Sequence, residues 1–232
     1  MPPSPHLASW QLLQSVPAFA HLDSERLTWL AQQMRWSSLA AGDEVKAPFH
    51  DARVHVILSG QLQVFCTNVQ GKALLLGELL PGQMFGNTLV CASVPQGMSM
   101  VATEPTLLAV MDKASTQEWL VTDGAVVFGI LNNATDLLWQ LVHRVVEMGT
   151  LNVRSRLHMR LLALAQRQGV QHNQVVLAPS PTQASLAAYL GTSREEVARE
   201  MSRLVRLGLL QRQGRNIALI NVDGLIALAD AQ

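Results

Sequence analysis

"TQASLAAYLGTSREEVAREMSRLVRLGLLQRQGRNIALIN", residues 182–221, decides how the chain is to be read. Leu186, Ala187 and Leu190 make one apolar stripe that begins after Thr182 and ends at Gly191, which predicts a short helix closed by a glycine turn. A second helix then opens on Ser193-x-x-Glu196, the spacing of a capping box in which each residue satisfies an orphan backbone donor. Val197, Met201, Leu204 and Val205 form its expected buried side. The "LLQRQGRNIALIN" that follows reads as two strands joined at Gln213-Gly214. Helix, glycine-containing turn, second helix and β-wing together predict a winged helix-turn-helix.

Arg194, Glu195 and Arg199 remain unexplained by folding. An i,i+4 surface pair between Glu195 and Arg199 is the ordinary account, but such a pair contributes only about 0.3–0.5 kcal/mol. The first turns of the second helix of a helix-turn-helix reach base edges in the major groove. There an arginine matches guanine O6/N7 and a carboxylate accepts from cytosine N4. A glutamate among arginines would be repelled by phosphates unless it met a base donor. With the turn and the wing around these residues, base reading is the better account.

Charge distribution supports it. The chain of 232 residues has a formal net charge of zero. Residues 152–232 nevertheless carry ten arginines against five carboxylates, and residues 1–151 carry seven Lys/Arg against twelve Asp/Glu. A basic end on an acidic body suggests that one end alone meets a polyanion. The hydrophobic fraction of 49% and charged fraction of 15% describe a folded globular chain. No basic stretch followed by an apolar run stands near the N-terminus, and the most apolar long window is interrupted by Asn132, Asn133 and Asp136. Neither a signal peptide nor a membrane span is expected. Two cysteines, Cys66 and Cys91, make no disulfide framework and no four-ligand metal site, so a cytoplasmic location is expected.

Outward from the helix-turn-helix, residues 7–36 read as helical, with Asp23 placed to cap "SERLTWLAQQM". Between 39 and 112 the texture changes to short apolar runs. Leu62, Val64 and Cys66 alternate with Gln61, Gln63 and Phe65, and turns fall at Gly42, Gly60, Gly71 and Gly82. That pattern predicts an antiparallel roll. From about Asp123 to Thr150 the period is helical. Val127, Leu131, Ala134, Leu138, Leu141, Val145 and Met148 interleave as the a and d positions of a dimer seam. The expected organisation is α+β: a β-roll sensor domain over 1–122, a dimerisation helix over 123–151 and a DNA-binding domain over 152–232.

The chain resembles the cyclic-AMP receptor protein/fumarate–nitrate regulator (Crp/Fnr) transcription factors over nearly its whole length. The likeness runs through "VPAFAHLDSERLTWLA", "AAGDEV…ILSGQLQVF…LPGQMFG", the long helix and "TQASLAAYLGTSREEVAREMSRLVRLGLL…GRNIALIN". The resemblance implies a cyclic-nucleotide-binding-like β-roll, a homodimer, double-stranded DNA and RNA polymerase as partners, and a small-molecule effector. It places Arg194, Glu195 and Arg199 on the Arg-Glu-x-x-x-Arg that reads TGTGA-type half-sites. Ala198 stands where the other branch of the family has serine. Gly214 and Arg215 match wing residues that touch phosphate, and Thr182 and Gln183 match the start of the positioning helix. Ser193 is counted with the backbone-contacting set.

Departures concentrate in the sensor. The family's nucleotide cassette begins Phe-Gly-Glu and ends on an Arg-Ser or Arg-Thr pair that clamps the phosphate. Here Asn87 replaces that glutamate, and no arginine occurs from residue 54 to 143. Leu141 and Val142 stand where cyclic-AMP binders carry hydroxyls. Loss of the charge-assisted clamp removes the strongest contact class of such a site, so an effector other than cyclic AMP is expected. Its pocket is expected to involve Gly86, Asn87, Thr88, Leu89, Val90, Met98, Ser99, Met100, Leu138, Leu141 and Val142. No cysteine precedes residue 66, which argues against an iron–sulfur cluster. Haem is the alternative, with His50, His55, Cys66, Cys91 or one of several methionines as axial ligand. The rival reading is a haem or redox sensor module whose C-terminal domain contacts protein. No phosphate loop, metal-spaced His/Glu set or nucleophile motif points to an enzyme.

Overall fold

A computed structural model describes residues 9–45, 53–71, 73–86, 97–122 and 124–230. The first half opens on two helices, α1 (Ser9–Gln14) and α2 (Ser24–Gln33), separated by a 3-10 turn at Pro17–Phe19. The continuous helical reading of 7–36 is thus corrected. Proline at 17 lacks the amide that a helix interior needs, and β1 (Arg35–Leu39) has begun by Arg35. Asp23 caps α2 as expected, its carboxylate accepting from the Arg26 amide at 2.8 Å.

Seven more strands complete the roll: β2 (Glu44–Val45), β3 (Arg53–Ser59), β4 (Leu62–Thr67), β5 (Ala73–Leu79), β6 (Met84–Gly86), β7 (Met98–Ala102) and β8 (Thr106–Asp112). They form two four-stranded sheets, in the orders β1-β8-β3-β6 and β2-β7-β4-β5. Gly42, Gly60, Gly71 and Gly82, the predicted turn residues, all have positive φ. β3 is buried through five successive residues because it is packed on both faces. Val56 and Leu58 meet α1 and α2, while Ile57 joins Leu62, Phe85, Met100 and Leu108 inside the roll.

After α3 (Lys113–Thr122), the helix α4 spans Gly124–Thr150, a length of about 40 Å at 1.5 Å per residue. The chain divides into two compact units inside α4, between Val142 and His143, with Ala73–Leu75 of β5 grouped with the second. Asn152 caps the next helix, α5 (Val153–Gln168), by accepting from the Ser155 amide. Then come β9 (Val175–Leu177), α6 (Gln183–Leu190), α7 (Arg194–Arg206), β10 (Leu210–Gln213), β11 (Asn216–Leu219) and α8 (Val222–Asp230). The strands make a small sheet in the order β10-β11-β9. One core joins Leu157, Leu161, Leu186, Leu190, Val197, Leu204 and Leu225. Sequence reading missed β9 and α8.

Candidate nucleic-acid interface and effector cavity

The α6–turn–α7 segment is set by local chemistry. Thr182 caps α6 by accepting from the Ser185 amide at 3.0 Å. Gly191 closes that helix at φ 68, in the left-handed region. Ser193 caps α7, accepting from the Glu196 amide at 3.2 Å. The other half of the expected capping box takes a different form, since the Glu196 carboxylate accepts from the Thr192 hydroxyl. Gly214 has φ 59 at the tip between β10 and β11, with Arg215 exposed beside it.

Val197, Met201 and Leu204 are buried as expected, but Val205 is 41% exposed. Glu200 occupies the buried side instead, at 5%. Its Oε1 lies 2.8 Å from Nε2 of the fully buried His158 and accepts from Arg203 Nη1 at 2.9 Å. Its Oε2 is 3.4 Å from Arg154 Nε. The carboxylate is thereby neutralised inside the fold and ties α7 to α5. Glu195, Arg199, Ser202 and Arg206 recur at spacings of four, three and four, all exposed on the opposite side, with Arg194 exposed at the first position. Among the described residues no ion pair joins Glu195 to Arg199.

Two arginine arrangements escaped the sequence reading. Arg156 donates from Nη1 to the carbonyls of Met148 and Leu151, and from Nη2 to that of Leu190. One guanidinium thus satisfies orphan carbonyls at the ends of both α4 and α6. Arg144 and Arg160 each place their guanidinium carbon 4.0 Å from the centre of the Tyr189 ring. Arg144 is only 7% exposed. Burial holds its guanidinium below the ordinary arginine value, Tyr189 and Glu147 oppose that shift, and Arg156 and Arg160 add to it.

In the other unit, a cavity of about 290 Å³ lies between the roll and α4. Val64, Leu76, Leu79, Met84, Phe85, Met98 and Met100 line it from the strands, with Gly77, Glu78 and Gly86. Ile130, Asn133, Ala134, Leu137, Gln140 and Leu141 line it from α4. Asn133 is committed to structure: its Oδ1 accepts from the Met84 amide at 3.2 Å and its Nδ2 donates to the Met84 carbonyl at 3.1 Å. Gly86, Met98, Met100 and Leu141 are therefore at the cavity as expected. Ser99 is not, because strand alternation turns it away from Met98 and Met100. Leu138 and Val142 are not either. Each residue turns a helix by about 100°, so Leu137 and Leu141 take the inward side and Leu138 is left 58% exposed. Asn87, Thr88, Leu89 and Val90 lie outside the described residues, as do His50 and Cys91. His55 is buried and stacks on Phe85 at 4.7 Å, and Cys66 is half-buried on β4. No cluster of three or more His, Cys, Asp or Glu able to hold a metal exists among the described residues. Nor, among them, is any helix long and apolar enough to cross a membrane.

Of the seam positions, Val127, Leu131, Leu138, Leu141 and Val145 are large apolar side chains exposed on α4. Ala134 is also exposed, and Met148 is half-buried.

Two family models match the chain in tandem. The cyclic nucleotide-binding domain covers residues 38–123 and the Crp-like helix-turn-helix domain covers 155–228. The chain belongs to the Crp/Fnr family. It is a DNA-binding transcription regulator of Crp/Fnr type. It is similar to a CRP-like cAMP-activated global transcriptional regulator of Mycobacterium tuberculosis, at 21% identity over 93% of this chain and 97% of the relative. Among solved structures it resembles the c-di-GMP responsive regulator CLP of Xanthomonas campestris, with a TM-score of 0.74 and 20% identity over 85% of this chain and 99% of that one. A CooA mutant of Carboxydothermus hydrogenoformans gives a TM-score of 0.72 and 21% identity over 93% and 96%. These likenesses establish the Crp/Fnr fold, the β-roll followed by the C-terminal helix-turn-helix.

Proposed function

We propose that this Crp/Fnr regulator acts as a homodimer that reads a TGTGA-like near-palindrome through Arg194, Glu195 and Arg199. The observation that carries the base-reading assignment is the state of α7. Its three candidate readers are exposed, and Glu195 and Arg199 are not paired with each other. Of the two other acids on α7, Glu196 accepts from the Thr192 hydroxyl while Glu200 is buried and neutralised. Thr182, Gln183, Ser193, Gly214 and Arg215 stand at the helix starts and wing tip, where phosphates position such a domain. Residues 1–122 serve as sensor, 123–151 as dimerising helix and 152–232 as DNA-binding domain, with RNA polymerase as a further partner.

The controlling effector is not cyclic AMP. Among the described residues lining the cavity the one charged side chain is Glu78, so a nucleotide phosphate would meet no cation among them. The fold itself leaves the choice open, since one similar protein is named for cyclic AMP and another for c-di-GMP.

Fluorescence anisotropy with TGTGA-bearing and scrambled duplexes across a salt series tests the DNA reading. Specific binding should exceed non-specific binding by about 10³-fold or more and fall steeply with salt. Equal affinity for both duplexes would refute it. Titration calorimetry should show no cyclic AMP binding at micromolar concentrations, and a micromolar isotherm would refute the effector assignment.

A further inference from the structure

We propose that the β-roll cavity binds a small, uncharged, largely apolar molecule. The inference deepens the regulator reading by naming the chemical class of its effector. Its starting point is Gly77. β5 alternates, so Gly77 shares a face with Leu79, which is buried in the core of the roll, and both line the cavity. A side chain at 77 would therefore point inward. A Cβ built there meets nothing within 4 Å, and the backbone at 77 is not in the positive-φ region that requires glycine. The strand conformation does not need a glycine at this position, and what the glycine leaves is space. Glycine inside a strand with that signature marks a place where a ligand can approach the backbone.

The walls of the space specify what fills it. Phe85 and Met100 line it from the strands, and Leu137 and Leu141 from α4. Among the described lining residues Glu78 is the one charged side chain, and it already accepts from Gln63 Nε2 at 3.5 Å. Its sign is negative, so an anionic ligand would meet a like charge and no cation among them. At about 290 Å³ the cavity lies just under the roughly 300–1,000 Å³ range of drug-sized sites, enough for up to three rings or a short chain. Such an occupant touches strands and α4 at once, so its binding sets how the helix seats on the roll.

Two probes that share a skeleton and differ by a sulfonate test the charge rule on the full chain without DNA. N-phenyl-1-naphthylamine, neutral with one N–H, should bind saturably, one per chain, with a rise in fluorescence. 1-Anilinonaphthalene-8-sulfonate should bind at least about tenfold more weakly at that site. Gly77→Leu should abolish binding of the neutral probe with the circular dichroism spectrum unchanged, and Gly77→Ala should weaken it partially. Sulfonate binding as tight as the amine's would overturn the proposal. So would a Gly77→Leu protein with wild-type affinity or, if that variant does not fold, a Gly77→Ala protein with wild-type affinity. Because no operator is present, failure here leaves the DNA reading standing, and loss of the DNA reading leaves this result intact.

Discussion

On α7 the charged side chains Arg194, Glu195 and Arg199 project outward with no ion pair between Glu195 and Arg199, whereas the described lining of the β-roll cavity is mostly apolar, with the amides Asn133 and Gln140 and one carboxylate, Glu78. Both regions lie beside a helix in a Crp/Fnr fold. At the output end Arg194, Glu195 and Arg199 match, by resemblance, the family's base-reading pattern, and at the input end no arginine occurs from residue 54 to 143. The difference teaches that a shared fold constrains the two ends unequally. A base edge offers a fixed set of donors and acceptors, so the side chains that read it are fixed too. An effector pocket answers to whatever molecule it meets, and the same roll tolerates a charged or an apolar lining.

Breaking the link between the two regions should have the largest effect. Leu138 is exposed on α4 and does not line the cavity, so Leu138→Asp alters the seam while leaving the cavity wall in place. We expect monomers by analytical ultracentrifugation and loss of operator binding. A variant that stays dimeric would move the seam elsewhere. Next in size is Glu200→Ala, which strands the fully buried His158 and frees Arg203 and Arg154. Breaking a buried pair costs about 3–5 kcal/mol, so the unit holding the helix-turn-helix should unfold at markedly lower denaturant. A loss under about 1 kcal/mol would show that the carboxylate is no tie between α5 and α7.

The way these residues read in the sequence is instructive. Thr182, Gly191, Ser193 and Gly214 were legible because a cap or a positive φ is a local need, met by the residue itself. Glu200 was not: it reads as one more charge on a polar helix, and the His158 that buries it lies 42 residues away. The inward face of α4 was misread by one position, Leu138 for Leu137. Heptad spacing gives the width of an apolar stripe but not which edge meets the roll. Gly77 carried no signal as a site because its contribution is an absent side chain.

Smaller effects sharpen the output half. Arg199→Ala should weaken specific operator binding by about 1–3 kcal/mol and spare non-specific binding, as measured by competition anisotropy. Arg215→Ala should do the reverse, weakening all duplexes alike and lowering the salt slope by about one. Equal losses on both duplexes for Arg199→Ala would remove its base-reading role. The smallest effect lies in the input half, at Asp112. Its carboxyl is held below 3.8, the ordinary value, chiefly by the Ser115 amide, which donates to it at 2.9 Å at the start of α3. A carboxyl depressed in the folded state stabilises above its unfolded value and ceases to do so as pH falls through its folded one. Asp112→Asn should therefore flatten the acid limb of the melting curve below pH 3.8 and leave neutral pH nearly unchanged. A melting temperature whose fall below that pH matched wild type would deny the cap any part in it.

Asn133 has a consequence for the life of the protein in a crowded cell. β6 is the outermost strand of its sheet, and the amide of Asn133 gives Met84 one donor and one acceptor, as a neighbouring strand would. The side chain works as a plug on an open β edge. Any event that lifts α4 from the roll also unplugs that edge, and an uncovered strand pairs readily with another chain. Freedom of the helix is thus bounded by aggregation as well as by signalling, and an Asn133→Leu protein should precipitate sooner than wild type on storage at high concentration.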